Sequence, residues 1–439
     1  MPSRNDTYTG LRAYIEQLPV IDCHEHALGP EAAPDNREPI AYLIQGYMQS
    51  DLWSAVWPGW PDDAPGIWDD LNNHDIPTEQ KWPLFERIWR LTEHTGYARV
   101  SKRILAEQFA EPQLTLAALQ RIRGRLPDLR DPAVYAGILD RANIRCRLVN
   151  TWPDLKAYLD GAHRTYERDR FMIPLPGFHS VRSWQQVWNN ASLVAARVTT
   201  LDDYVAACRE AFRRMQKRGA AGMKDQSAYE RTLAFGNPSH AEAEALFNRI
   251  AADPRAALGW PEAKSLQDYL FHRFMETARD LDMPVQLHTG HMAGIRNDIA
   301  KTNAVHLIPL LELHRDVRFD LFHGNWPYMG EYLYLGKNYP NVHLDLCWLP
   351  IIDPVYATNL LSEGLTAVPH SKFHAFGGDY FDSILHAVAH LSIARDVVAA
   401  ALAERVDAGW IDRGEAERIA ADWLHNNPND YFRLGFPAV

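Results

Sequence analysis

Eight short, nearly continuous apolar runs, bounded by turn signals, constrain this chain more than any other feature. They lie at 18–23, 144–150 (IRCRLVN), 171–178 (FMIPLPGF), 219–224 (GAAGMK), 283–288 (MPVQLH), 317–323 (VRFDLFH), 342–346 (VHLDL) and 373–379 (FHAFGGD). Runs this short, with little polar alternation, read as strands buried on both faces, as in a parallel sheet. Stretches of helical periodicity at 201–217, 266–281 and 305–315 stand between them. Eight strand–helix repeats predict an α/β fold, a (β/α)8 TIM-like barrel. No Gly-rich dinucleotide fingerprint follows any run, so nothing favours an open, doubly wound sheet.

At 439 residues the chain exceeds a typical barrel of about 250. The surplus falls in two places. A long, partly helical segment at about 29–139, rich in Trp, Pro and Asp, separates the first two runs; a shorter one at about 229–261 follows the fourth. Both read as insertions into one barrel domain spanning 1–439, on the face carrying the strand C-termini, where barrel enzymes elaborate substrate loops. The tryptophans of 29–139 and 183–188 predict a packed lid, and 389–418 closes the chain helically.

A net charge of −11, from 45 basic and 56 acidic residues, argues against nucleic acid and anionic membranes as partners. Four scattered cysteines, Cys23, Cys146, Cys208 and Cys347, form neither a disulfide framework nor a zinc knuckle. No apolar leader and no run of about 18 apolar residues stands out. The expectation is a cytoplasmic enzyme with a small-molecule substrate, with homo-oligomerisation compatible with the apolar insertions.

His24 and His26 follow the first run at i and i+2, a spacing that sends both side chains to one face. With 19 histidines in 439 positions, chance alone supplies about 0.8 such pairs, so the pair by itself is weak. Position strengthens it. Lys224, His288, His323 and Asp379 close other runs, and in a parallel barrel all strand ends meet at one rim. Imidazoles with one carboxylate suit Zn2+, Mn2+ or Fe2+. Arg231 and Tyr229 are candidates for holding a substrate carboxylate, and His291, Trp326, Tyr328 and Tyr380 for lining the pocket. His386 and His390, at i and i+4 on a helix, have metal-binding spacing but no strand end.

The stretches Val20-Ile21-Asp22-Cys23-His24-Glu25-His26, Gln286-Leu287-His288-Thr289-Gly290, Phe322-His323-Gly324 and Gly377-Gly378-Asp379 resemble the amidohydrolase superfamily. Within it they resemble the amidohydrolase-related (amidohydrolase 2) branch, with its decarboxylase, uronate-isomerase-like and glutamine-synthetase-fused relatives. The resemblance implies a distorted barrel with a divalent metal, zinc first, then manganese or iron. It implies metal ligation by His24, His26, His288 and Asp379, with His323 binding a second metal or polarising the substrate. Asp379 would also take a proton from water activated by the metal, so Asp379 and His323 are the expected catalytic pair. Lys224 matches a lysine that is carboxylated and bridges two metals in several branches; a substrate contact and a structural salt bridge stay open beside that role. One ion is the expectation, two if Lys224 is carboxylated. The expected reaction is hydrolysis of a small amide, ester or lactone, with decarboxylation or aldose–ketose isomerisation of a carboxylated substrate as the alternative.

Overall fold

The computed structural model describes residues 6–27, 29–33, 37–56, 64–151, 154–163, 165–381 and 383–439. Each predicted run contains or overlaps one strand: β1 (Val20–Glu25), β2 (Ile144–Val149), β3 (Asp169–Pro174), β4 (Gly222–Asp225), β5 (Val285–Leu287), β6 (Phe319–Leu321), β7 (Val342–Asp345) and β8 (Phe373–His374). They pair in sequence order, every pair parallel. β8 returns to β1 through Cys23 N–H to Phe376 O (3.0 Å) and Asp379 N–H to His24 O (2.9 Å), which closes the barrel.

The surrounding helices follow from local rules. Leu201–Lys217 begins with a reciprocal cap between Thr200 and Asp203 and buries Leu201, Tyr204, Cys208, Ala211, Phe212 and Met215, a stripe at three- and four-residue spacing. Phe212 wedges edge-on between Phe178 (4.8 Å between centroids) and Phe274 (5.2 Å). Burying a side chain of this size is worth about 1.5–3 kcal/mol, so an aspartate at 212 would break the packing of this helix.

Inside the barrel the register sets Lys224 beside Gln286 and Gln286 beside Asp320. Below the rim these polar groups bond one another. His374 Nδ1 lies 3.0 Å from Asp320 Oδ1, Gln286 Nε2 donates to Asp320 Oδ2 (3.3 Å), and Cys347 N–H donates to Asp345 Oδ1 (2.7 Å). Leu148, Met172, Tyr431 and Phe432 form a separate small apolar cluster.

Between β1 and β2 the chain folds as helices, among them Pro39–Leu43, Met48–Val56, Thr78–Thr92 and Gly96–Phe109. Glu38 caps the first of these and binds the buried Lys81 (2.7 Å), tying it to Thr78–Thr92. Of the tryptophans in this segment, Trp57 and Trp60 lie outside the described residues, and Trp89 is buried in the core. Between β4 and β5 the helix His240–Ala252 packs against the longer Glu262–Asp280.

One expectation needs correcting. Ile384–Asp407 is long and apolar enough to cross a membrane, although no such stretch stood out in the sequence. Its apolar window is 94% buried inside the molecule, and Asp396 on it binds Arg12 (2.8 Å) and Arg103. It is a core helix, apolar all round because helices surround it.

Candidate metal centre

His24 ends inside β1 and His26 just beyond it, and each is oriented by a hydrogen bond at Nδ1. His24 Nδ1 lies 3.2 Å from Gln286 Oε1, and His26 Nδ1 donates to the Asn150 carbonyl. Gln286 Nε2 donates to Cys23 O (2.9 Å), which leaves its amide oxygen to face His24. With the proton at Nδ1, each ring presents an Nε2 lone pair. His24 Nε2 is buried and has no hydrogen-bond partner among the described residues. Both Nε2 atoms face Asp379 Oδ1, at 3.6 Å from His24 and 3.1 Å from His26. Burial, with the nearby Lys224 charge, pulls His24 well below the usual imidazole range, so it stays neutral, as a ligand must be.

Asp379 is delivered by an unusual backbone. A Cβ at residue 378 would lie 1.8 Å from Glu25 Oε1, so only glycine lets this turn approach β1. Asp379 itself is left-handed (φ 59°), as are His323 (φ 62°) and Trp348 (φ 65°). Such conformations cost of order 1–3 kcal/mol each in non-glycine residues and concentrate at functional sites. The Tyr47 hydroxyl, from the β1–β2 segment, donates to the Asp379 carbonyl.

His288 and His323 complete the rim. His323 Nδ1 bonds the Cys347 carbonyl and His288 Nε2 bonds the His291 carbonyl, both at 2.8 Å. Their remaining nitrogens, His288 Nδ1 and His323 Nε2, face each other at 3.1 Å. In the neutral tautomers those bonds require, two lone pairs meet there, an arrangement that calls for a proton or a cation. Burial lowers the basicity of both rings. His323 Nε2 also lies 4.0 Å from Asp379 Oδ2. Donor atoms of His24, His26 and Asp379, and likewise of His323, Cys347 and Asp379, lie within 4.8 Å of one another. These residues fit a borderline divalent ion.

A cavity of about 370 Å³ opens on this cluster, lined among others by His24, His26, His288, Asp379, Lys224, Tyr47, Tyr229 and Phe381. Lys224 is 2% exposed, with Nζ 3.4 Å from the centroid of the Phe322 ring. Burial brings its ammonium down to about 8, against the pull of Asp379. Tyr229 tilts over His288 (4.8 Å), and its hydroxyl accepts from Ala293 N–H (3.1 Å).

Other sequence candidates lie elsewhere. Arg231 is buried against Asp268, which Lys264 also binds, so its guanidinium is engaged in the fold and is not among the groups lining the cavity. The sequence could not show that the helix Glu262–Asp280 brings this carboxylate to it. His291 stands behind His288, with Nε2 3.2 Å from the Tyr97 hydroxyl and its ring edge-on to Trp326 (5.4 Å). Tyr328 is not among the cavity-lining groups, and Tyr380 packs behind Tyr47 (5.3 Å). His386 and His390 bond the carbonyls of Leu43 (3.3 Å) and Gly378 (3.1 Å), so they support the loops.

Several groups at the candidate site escaped the sequence reading. Phe381 stacks on His26 (4.5 Å, 2° between planes), Trp348 stands edge-on to His323 (5.3 Å), and Tyr47 reaches Asp379 from the insertion. Gln286, two residues before His288, was findable from strand alternation, and Asn150 from its place at the end of the second run.

A family model described as Amidohydrolase matches residues 148–434, about two thirds of the chain. The chain belongs to this amidohydrolase family. The family is one of metal-dependent enzymes, and the histidines and Asp379 that converge at the rim form groups able to hold a metal ion. Protein fluG of Emericella nidulans is 28% identical over 222 residues, which cover 48% of this amidohydrolase and 25% of that protein. The match thus spans about a quarter of the curated relative. Among solved structures, a glucuronate isomerase from Caulobacter crescentus matches with a TM-score of 0.76 at 19% identity, covering 100% of this chain and 97% of that one. A uronate isomerase from Thermotoga maritima matches with a TM-score of 0.74 at 12% identity, covering 98% and 97%. Identities this low speak for a shared fold.

Proposed function

We propose that the protein is a metal-dependent hydrolase of a small amide, ester or lactone. The observation that carries this reading is the convergence on Asp379 of imidazoles whose opposite nitrogens are already tied to the protein. His24, His26 and Asp379 would hold the ion, with His288 and His323 beside it. When bound, a divalent ion there supplies a Lewis acid and eases ionisation of water near neutral pH. Asp379 accepts the proton released as water attacks the substrate carbonyl, and then delivers it to the leaving group. The proton or cation that the facing nitrogens of His288 and His323 call for would lie toward the substrate oxygen on which negative charge grows. Phe381, Tyr47 and Tyr229 wall the cavity, orient the substrate and limit the water around it.

Aldose–ketose isomerisation of a carboxylated sugar is the second reading, favoured by the whole-length likeness to two uronate isomerases, the segment between β1 and β2 included. Reaction in 18O-labelled water separates the two, because hydrolysis places solvent oxygen in the product. Chelation is expected to abolish turnover and one divalent ion to restore it. A rate unchanged after thorough metal removal would overturn both readings.

A further inference from the structure

We infer that Lys224 remains a free ammonium and is the anchor for an anionic group of the substrate, which makes the substrate class a small carboxylate-bearing molecule. This rests on the hydrolase reading of the same cavity and narrows it.

Three observations point this way. Lys224 is 2% exposed and borders the cavity, yet among the described residues its ammonium makes no hydrogen bond and no ion pair. A buried ammonium without a partner is costly, and such groups are normally paired. Its contact is instead the face of Phe322, with Nζ 3.4 Å from the ring centroid. An aromatic face is negative and attracts a cation. A carbamate on the same nitrogen would set an anion against that face, and His24 packs across the same ring at 4.9 Å and 77°.

The third observation is what else the cavity offers. Arg231, the arginine candidate for gripping a carboxylate, is tied to Asp268. Among the described lining residues Lys224 is the one lysine or arginine, beside the acidic Asp379 and Glu230. An anion entering this cavity therefore has one protein cation to meet, on the β4 side of the metal ligands. A substrate held there by its carboxylate presents its reacting carbonyl across the cavity toward Asp379.

The test uses the metal-loaded protein, with glutarate and its neutral diamide as probes in titration calorimetry, and the variants Lys224→Met and Lys224→Arg. Methionine keeps the stem without charge; arginine keeps the charge and cannot form the bridging carbamate. Both variants are expected to retain the wild-type metal content, measured by elemental analysis. Glutarate binding is expected to weaken about tenfold or more in Lys224→Met and to stay within about threefold in Lys224→Arg, because one charge-assisted contact is lost only in the first. The diamide should not discriminate between the proteins. A carbamate carbon resonance in protein equilibrated with 13C-bicarbonate, with metal lost from both variants, would overturn the inference. So would glutarate binding that Lys224→Met leaves unchanged. In either case loss of turnover on chelation leaves the hydrolase reading standing, whereas turnover that survives chelation removes that reading first.

Discussion

Two clusters of buried histidine and aspartate lie one above the other in the barrel, and they are built on opposite terms. In the lower one, Asp320, Asp345 and His374 are fully buried and bond to one another, to Gln286 and to backbone groups, with Asp345 Oδ2 left without a partner but enclosed away from the cavity. In the upper one, His24, His26, His288, His323 and Asp379 bond outward to carbonyls and amides, and leave their inward nitrogens with lone pairs aimed at shared space. The upper cluster also sits on left-handed backbone at His323, Trp348 and Asp379, whereas no residue of the lower one has a positive φ. Burial of ionisable groups is therefore no mark of a site. Atoms left unsatisfied toward a cavity, on strained backbone, are.

The largest effect expected from breaking this contrast is at Asp379. Asp379→Asn keeps shape and hydrogen bonding but cannot take a proton, and turnover should fall by about 10²–10⁴-fold while the melting temperature stays close to wild type. Arg147→Met is the opposite experiment. Arg147 is fully buried in a two-bond pair with Asp169 (2.8 and 2.9 Å) and reaches the Tyr135 hydroxyl (2.8 Å). Removing one partner of a buried pair costs about 3–5 kcal/mol, which urea unfolding should read, while the folded fraction keeps near-normal kcat. If Asp379→Asn unfolds the protein and Arg147→Met spares it, the division between buried groups that act and buried groups that hold the fold is wrong.

The barrel was legible because a buried parallel strand writes itself as a short apolar run, and the helix Leu201–Lys217 because its cap and stripe are local. The rim was legible because strand ends converge whatever lies between them, so His24, His26, His288, His323 and Asp379 could be named together. What the sequence hid depends on contacts remote in the chain. Arg231 has the chemistry of a carboxylate clamp until Asp268, 37 residues on, occupies it. Tyr47 and Phe381 enter the site through the packing of an insertion and a left-handed turn, and neither feature has a periodic signature. Ile384–Asp407 is apolar on every side because other helices enclose it, and no local rule separates that from a membrane span.

The lower cluster carries a pH signature that the upper one does not share. Burial, reinforced by the charge of Asp320, holds the Asp345 carboxyl far above the ordinary carboxylate range. The folded chain thus keeps a proton that the unfolded chain releases near pH 4. Stability from this group is complete below about pH 4 and is lost as the pH rises toward the folded-state value, by about 1.4 kcal/mol per pH unit for one proton. Asp345→Asn removes that loss while keeping a donor toward Asp320. The variant should gain on wild type steadily from pH 5 to pH 8 in urea unfolding, and parallel pH profiles would show that Asp345 is not the proton's holder.

The smallest effect lies where the contrast blurs, at Tyr229, which borders the cavity while its hydroxyl accepts from Ala293 N–H. If that hydroxyl only holds the loop, Tyr229→Phe costs one hydrogen bond, about 1 kcal/mol net, which is about a fivefold change. It should appear as a raised KM with kcat unchanged, because a displaced loop weakens substrate and transition state alike. If kcat instead falls by a hundredfold or more, the hydroxyl belongs with the reacting atoms. Ala293 would then be a borrowed partner that the substrate displaces, and the upper cluster would extend from the strand ends into the loop after β4.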